Sequence, residues 1–279
     1  MNILFWNVNK KKAIDACLEE LILAKDCDIV VLAEYENDVN ELNDLVNISS
    51  RRQYNPLPSF LDRKGILGCK KIHGLIDAKY YVEVLQEEER YKIVLITTSI
   101  YKLIIAMIHN ISLIRAGEDE QSQIIKDFVQ DICEQEEMQS SRNTIIIGDL
   151  NVNPFEKPCV AANVLHAIPY KEMLCRPARI VQNSEYLKFY NPMWKFLYSR
   201  KAPYGTYFYD NSGHIVNYYW NTFDQVIVRP QLINAFDDNS LSIITQVNEH
   251  NLLFNGKPNK NKYSDHLPIY FNIKEELIL

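Results

Sequence analysis

The chain has 279 residues, 47% of them hydrophobic and 24% charged, with a formal net charge of −6. A chain of this length buries a sizeable core, and these proportions exclude a disordered or fibrous protein. The acidic balance argues against a passive nucleic-acid coat, which needs a global basic field, but not against an enzyme that neutralises phosphate locally with a bound cation.

The opening NILFW (2–6) reads as a strand, and Ile14, Cys17, Leu18, Leu21 and Ile22 follow at helical spacing. DIVVLAE (28–34) predicts a second buried strand, residues 37–46 a polar helix, and the next stretch a loop carrying Arg51, Arg52, Arg63 and Lys64. Four strands are expected in succession at 66–72, 78–86, 91–98 and 102–109, separated by charged or turn-forming residues as in antiparallel meanders. Residues 118–137 change period: Ile124, Ile125, Phe128, Val129, Ile132 and Cys133 share one face of an amphipathic helix, and NTIIIG is its return strand. The last third predicts strands near 205–209, 223–228, 241–247 and 267–273. Strands that come in runs and also alternate with helices fit two sheets with helices outside them better than one parallel sheet.

The six cysteines form no CxxC pair and sit mostly in apolar periodic segments, so they read as reduced core residues rather than a zinc site or disulfide framework. No run of 18 apolar residues suggests a membrane span, and a first strand starting at Asn2 leaves no room for a secretory leader. A cytoplasmic protein without integral membrane association is expected.

Polar residues recur where the apolar strands end. Asn7 and Asn9 follow ILFW, Glu34 follows VVLA, His109 and Asn110 follow LIIAMI, and Asp149 and Asn151 follow IIIG. Asp265 and His266 precede LPIYF, and Asp224 heads QVIV. Each has an ordinary explanation as a turn former, a solvated strand end or a satisfied core histidine. Six such coincidences favour a site. Carboxylates and amides without cysteine are the ligand set of a hard cation such as Mg²⁺ or Mn²⁺, and histidines backed by acids supply general acid/base groups or phosphate contacts. No Gly-rich phosphate loop, GxSxG elbow or dinucleotide fingerprint is present. The set suits hydrolysis of a phosphate ester.

The pieces FWNVN (5–9), VLAEY (31–35), MIHN (107–110), IIIGDLNVNP (145–154), FDQVIV (223–228) and YSDHLP (263–268) resemble, in order and spacing, the motifs of the endonuclease/exonuclease/phosphatase superfamily, which includes DNase I and exonuclease III. GDLNVNP and SDHLP are the specific ones. The resemblance spans nearly the whole chain and implies one domain, 1–279, folded as a four-layer α/β/β/α sandwich of two packed mixed, mainly antiparallel sheets. It implies Glu34 as principal metal ligand with Asn7 and Asp265 close to the metal. Asp149 is implied to orient or deprotonate the attacking water. Asn151, His109 and His266 are implied at the phosphate, with Asp224 as the carboxylate partner of His266. Asp149 and His266 both remain open as the base.

Two departures stand out. The second motif is LAE where many members have LQE, and position 9 is Asn where several DNA-repair members carry Asp. A metal-dependent nuclease is the leading reading. Arg51, Arg52, Arg63 and Lys64 are candidates to track a phosphate backbone, Asn9 lies at the site, and Trp220 with its neighbouring tyrosines is a candidate stacking surface. The alternatives are a phosphatase or phosphodiesterase acting on a lipid headgroup or small phosphate ester, and a non-catalytic binding module. The last would be expected to have lost the Glu, the Asp-x-Asn or the Asp-His pair, and all three are present.

Overall fold

A computed structural model of the chain describes residues 1–60, 68–112, 117–210, 213 and 215–278. In chain order its principal elements begin with β1 (Asn2–Asn7), α1 (Asp15–Ala24), β2 (Ile29–Ala33), α2 (Val39–Ser49) and β3 (Tyr54–Pro56). They continue with β4 (Ile72–Asp77), β5 (Tyr81–Glu87), β6 (Tyr91–Thr97), β7 (Lys102–His109), α3 (Glu118–Gln139) and β8 (Thr144–Asp149). The remainder comprises β9 (Ala167–Ile168), β10 (Phe189–Tyr190), β11 (Tyr207–Phe208), β12 (Trp220–Asn221), β13 (Asp224–Val228) and β14 (Phe236–Ile243). A hairpin of β15 (Leu253–Phe254) and β16 (Lys257–Pro258) and the strand β17 (Ile269–Ile273) complete the set.

One six-stranded sheet has the order β14-β17-β1-β2-β4-β3, and a seven-stranded sheet has the order β5-β6-β7-β8-β13-β10-β9. The strand alternation dictates how they pack. Ile3, Phe5, Ile29 and Val31 of the first sheet meet Val94, Ile105, Ile145 and Ile147 of the second in a central core. Their alternate neighbours face outward: Leu4, Trp6, Val30 and Leu32 pack with α1 and α2, and Ile104 and Ile146 pack with Ile125, Phe128 and Ile132 of α3. Burying both faces of each central strand explains why these segments are continuously apolar rather than alternating. The result is the expected α/β/β/α sandwich.

The strand directions gather one set of ends. β1 and β2 run parallel with Asn7 opposite Ala33, and β7 and β8 run parallel with His109 opposite Asp149. β13 runs antiparallel to β8 and places Asp224 opposite Asp149. All the polar strand-end residues therefore lie along one edge of the two sheets.

Several boundaries differ from the expectation. The strand expected at 66–72 is instead Ile72–Asp77, with residues 61–67 outside the described region. Charged Lys70 and Lys71 lie before it, and apart from Cys69 the buried run of the segment begins at Ile72. The strand expected at 241–247 spans Phe236–Ile243, where a register shift between Asp237 and Ser242 hides the alternation. All six cysteines are unpaired; Cys17, Cys27, Cys69 and Cys159 are buried, but Cys133 is half-buried and Cys175 exposed. No helix among the described residues is long and apolar enough to cross a membrane.

Candidate active site

The strand-end residues line a cavity of about 170 Å³ at the sheet edge, with Asn7, Asn9, Glu34, His109, Asp149, Asn151, Asp265 and His266 in its walls. That is below the roughly 300–1,000 Å³ of pockets that enclose drug-sized ligands. Its floor fits a group the size of phosphate and leaves the rest of a larger molecule on the rim.

Local backbone geometry aims each side chain. Gly148 sits where β7 and β8 come closest: a Cβ there would lie 1.9 Å from the Ile108 carbonyl oxygen, so only glycine allows Asp149 to reach the edge. Glu34 has φ +52°, the left-handed region that costs a side-chain-bearing residue roughly 1–2 kcal/mol. It is held there because its carbonyl accepts from Lys10 N (2.9 Å) and its amide donates to Lys71 O (3.3 Å). Asn9 and Asn151 adopt the same region at φ +46° and +53°, which asparagine tolerates better.

Asp149 is the centre of the network. Its Oδ2 accepts from Asn7 Nδ2 at 2.9 Å and its Oδ1 from the Asn151 amide at 2.9 Å. His109 Nε2 lies 3.3 Å from Glu34 Oε1 and 3.9 Å from Asp149 Oδ2. On the other side His266 Nε2 is 3.9 Å from Asp149 Oδ2, while its Nδ1 lies 2.8 Å from Asp224 Oδ2. The His266 main chain is anchored by its carbonyl accepting from Trp6 Nε1 (2.9 Å) and its amide donating to Ser264 Oγ (3.1 Å).

These contacts set the charges. Burial alone would lower the His266 pKa, but the negative charges of Asp224 and Asp149 and the Asp224 hydrogen bond outweigh it and hold the imidazole at about 10. His266 is therefore an imidazolium at neutral pH. Burial raises the Asp149 carboxyl above its ordinary range, against the lowering pull of His266. The hydrogen bond from His109 is the main reason that the Glu34 carboxyl is held low, as an anion.

Asp149, Asp224 and His266 offer potential metal-ligand atoms within 4.8 Å of one another. That trio is a poor cation site, because Nδ1 of His266 is committed to Asp224 and an imidazolium has no lone pair to give. The better fit is Glu34 with Asn7 and Asp265: an oxygen donor set suited to a hard cation, with the Asp265 Oδ1 buried and lacking a hydrogen-bond partner.

The structure thus brings together Asn7, Asn9, Glu34, His109, Asp149, Asn151, Asp265 and His266, with Asp224 directly behind His266. Asn151 has one amide hydrogen committed to the Asn110 carbonyl at 3.0 Å. Asn153 works as a staple, donating to Asn221 Oδ1 and accepting from Thr222 N, both at 2.9 Å.

The basic-loop expectation needs correction. Arg52 is held at the opposite end of β2, ion-paired to Asp28 at 2.9 Å and also to Asp26 and Asp77. Arg51 adjoins it there, exposed. A five-residue strand at about 3.3 Å per residue separates that end from Glu34. Arg63 and Lys64 lie outside the described residues. Trp220 does not line the cavity; it packs edge-on against Tyr204 and Phe208. The basic residues that do line it are Lys10, Lys71 and Arg90. Lys10 and Arg90 gave no signal in the sequence, one opening the run Lys10-Lys11-Lys12 and the other closing the acidic run Glu87-Glu88-Glu89, both in turns that read as ordinary solvated surface.

No family model matches the sequence, and no curated protein does. Solved structures do. The chain superimposes on the zebrafish (D. rerio) protein TDP2 complexed with a single-strand DNA product with TM-score 0.55 and 18% identity, covering 97% of each chain. It matches the Neisseria 3′ phosphatase NExo, bound to a product DNA hairpin, with TM-score 0.54 and 15% identity over 98% of this chain and 99% of that one. An endonuclease/exonuclease/phosphatase family protein from Leptotrichia buccalis matches with TM-score 0.53 and 15% identity, again over 98% and 99%. At these identities the likeness establishes the fold, and it is the fold indicated by the motifs.

Proposed function

We propose that this chain is a divalent-cation-dependent hydrolase of phosphate diesters, with nucleic acid as its substrate. The observation that carries the proposal is the arrangement around Asp149: a buried carboxylate between the Asn7 amide and the His266–Asp224 pair, opening onto a phosphate-sized cavity that Glu34 also faces.

Glu34, Asn7 and Asp265 would hold the cation, Mg²⁺ or Mn²⁺. When bound, such an ion supplies Lewis-acid stabilisation of charge on phosphoryl and leaving oxygens. The protein's own groups divide the remaining work. Asp149, with its raised carboxyl, takes the proton of the attacking water. His266, already protonated, donates to the phosphoryl oxygens as negative charge builds in an in-line displacement. This assigns Asp149 as base and His266 as donor. Asp224 keeps His266 in that state, and His109 with Asn151 complete the anion-facing wall.

Lys71 and Arg90 support the nucleic-acid substrate, since neither makes an ion pair to a carboxylate among the described residues and both border the cavity. The bound DNA in two of the structural relatives supports it also. The test is hydrolysis, with Mg²⁺, of single-stranded DNA, duplex DNA, abasic duplex, RNA and a small aryl phosphodiester. Cutting of a polymer is expected. Turnover of small esters or lipid headgroups alone would replace the nucleic-acid reading, and no turnover of any would refute the hydrolase.

A further inference from the structure

A second cavity, about 430 Å³, shares Tyr207 and Asp265 with the catalytic one. Its volume lies within the range of small-molecule pockets, unlike the phosphate-sized space beside it. Its walls are Tyr207, Phe208 and Tyr209 of the β11 segment on one side and Lys257, Pro258 and Lys260 on the other, with Asp210 at its border.

The walls are ordered by contacts of their own. Tyr207 stacks on Phe223 at 5.4 Å and lies 6.4 Å from the nearly parallel Tyr209 ring, while its other neighbour is the His266 imidazole at 4.7 Å. The opposite wall is a β-hairpin whose turn, Asn255-Gly256, has φ +51° and +74°, the two positive values of a type I′ turn. That turn fixes Lys257 so that its ammonium lies 4.2 Å from the Phe208 ring centroid and 3.6 Å from Asp210 Oδ2.

The charges decide what kind of group fits inside. Lys257 is paired with Asp210, and Asp265 lies on the side shared with the catalytic cavity, so the lining carries no net charge and its apolar half is largely aromatic. A phosphate would gain little there. A planar, uncharged ring would gain stacking area, and Lys260, exposed at the rim and ion-paired to no carboxylate among the described residues, is placed for the phosphate that follows it.

We propose that this cavity binds an unpaired nucleobase adjacent to the scissile phosphate, so that the protein selects single-stranded or frayed nucleic acid over intact duplex. The proposal rests on the hydrolase reading for its substrate class. A base can enter only when it is free of its partner strand, and entry places its flanking phosphate beside His266.

The test separates binding from turnover. Fluorescence anisotropy with a labelled oligothymidylate and a blunt duplex of equal length, in EDTA, gives a Kd for each. Wild type is expected to bind the single strand at least about tenfold more tightly, as loss of one stacking platform costs about that factor. Tyr209→Ala and Lys260→Glu are each expected to weaken single-strand binding and bring the ratio toward one. Lys260→Glu, an exposed change, keeps the test valid if Tyr209→Ala fails to fold. Equal affinities in wild type, or variants that keep its preference, would overturn the subsite. Hydrolysis of the small aryl diester with Mg²⁺ reports separately on the catalytic reading, so either can fail alone.

Discussion

Strand β2 has a charged cluster at each end, and the two are built differently. At its start, Asp28 accepts from the Asn2 amide at 2.7 Å and is bound by Arg52 and Lys79, which also engage Asp26 and Asp77. At its finish, Glu34 stands with Asp149, Asp224 and Asp265 around one imidazolium. Asp224 Oδ1 and Asp265 Oδ1 are buried without hydrogen-bond partners. The first cluster has its cations inside it. In the second, the lysines and arginine stand at the rim, and Glu34, Asp149 and Asp265 face the cavity with Asp224 buried behind His266. Compensated charge is what a fold needs; charge left under-compensated against a cavity is disfavoured unless a ligand completes it. That difference separates architecture from site more reliably than the charges themselves.

The comparison yields predictions of decreasing size. Removing divalent cations should lower hydrolysis by at least about 10³-fold. Saturating Mg²⁺ should raise the Tm of wild type, because binding to the folded state alone contributes about 2.7 kcal/mol at a hundredfold excess over Kd. Calorimetry with and without EDTA checks both halves, and an unchanged Tm would mean that the Glu34 end is not incomplete. At the other end, Asp28→Ala removes the carboxylate shared by Arg52, Lys79 and the Asn2 amide and should destabilise by about 2 kcal/mol, below the full cost of breaking a buried pair since both cations are partly exposed and keep Asp26 or Asp77 as partners. Chemical denaturation measures this, and activity of the folded variant should be retained.

Smaller still is the effect of relieving Glu34. Glu34→Gly should abolish hydrolysis yet raise stability by up to about 1 kcal/mol, because glycine accepts φ +52° without penalty. A lower Tm would show that the strained glutamate serves the fold. The finest distinction is in pH. Burial alone would raise the Asp28 carboxyl, but hydrogen bonds from Lys79 and Asn2 prevail and hold it below 3.8. A depressed carboxyl contributes stability that is present above the unfolded value and lost as pH falls through the folded one. Tm should therefore fall below about pH 4, and Asp28→Asn should flatten that limb. Asp149 carries the opposite sign: its raised carboxyl makes the folded state take up a proton more readily, so acid unfastens one end of the strand while easing the other.

Most of the candidate site was legible because buried strands advertise their ends. IIIGDLNVNP could be read as a strand delivering polar groups to an edge, and Gly148 marks where the backbones must touch. Arg52 was misread because a basic residue in a loop looks the same whether it meets substrate or the acids before a neighbouring strand. Lys10 and Arg90 were invisible because only the register of β1, β6 and β7 brings their turns to the cavity. The β15–β16 hairpin was also missed: its strands are two residues each, too short for any period to register, although Asn255-Gly256 was a local signal for its turn.

The most direct test of the account is the hydrolysis rate of Asp149→Asn beside Asp28→Asn, on the same oligonucleotide with Mg²⁺ and with folding verified for both. Asp149→Asn removes the base while keeping the volume, and a loss of at least about 10³-fold is predicted, against a near wild-type rate for Asp28→Asn. A wild-type rate in Asp149→Asn would contradict the assignment of chemistry to this end of the sheets.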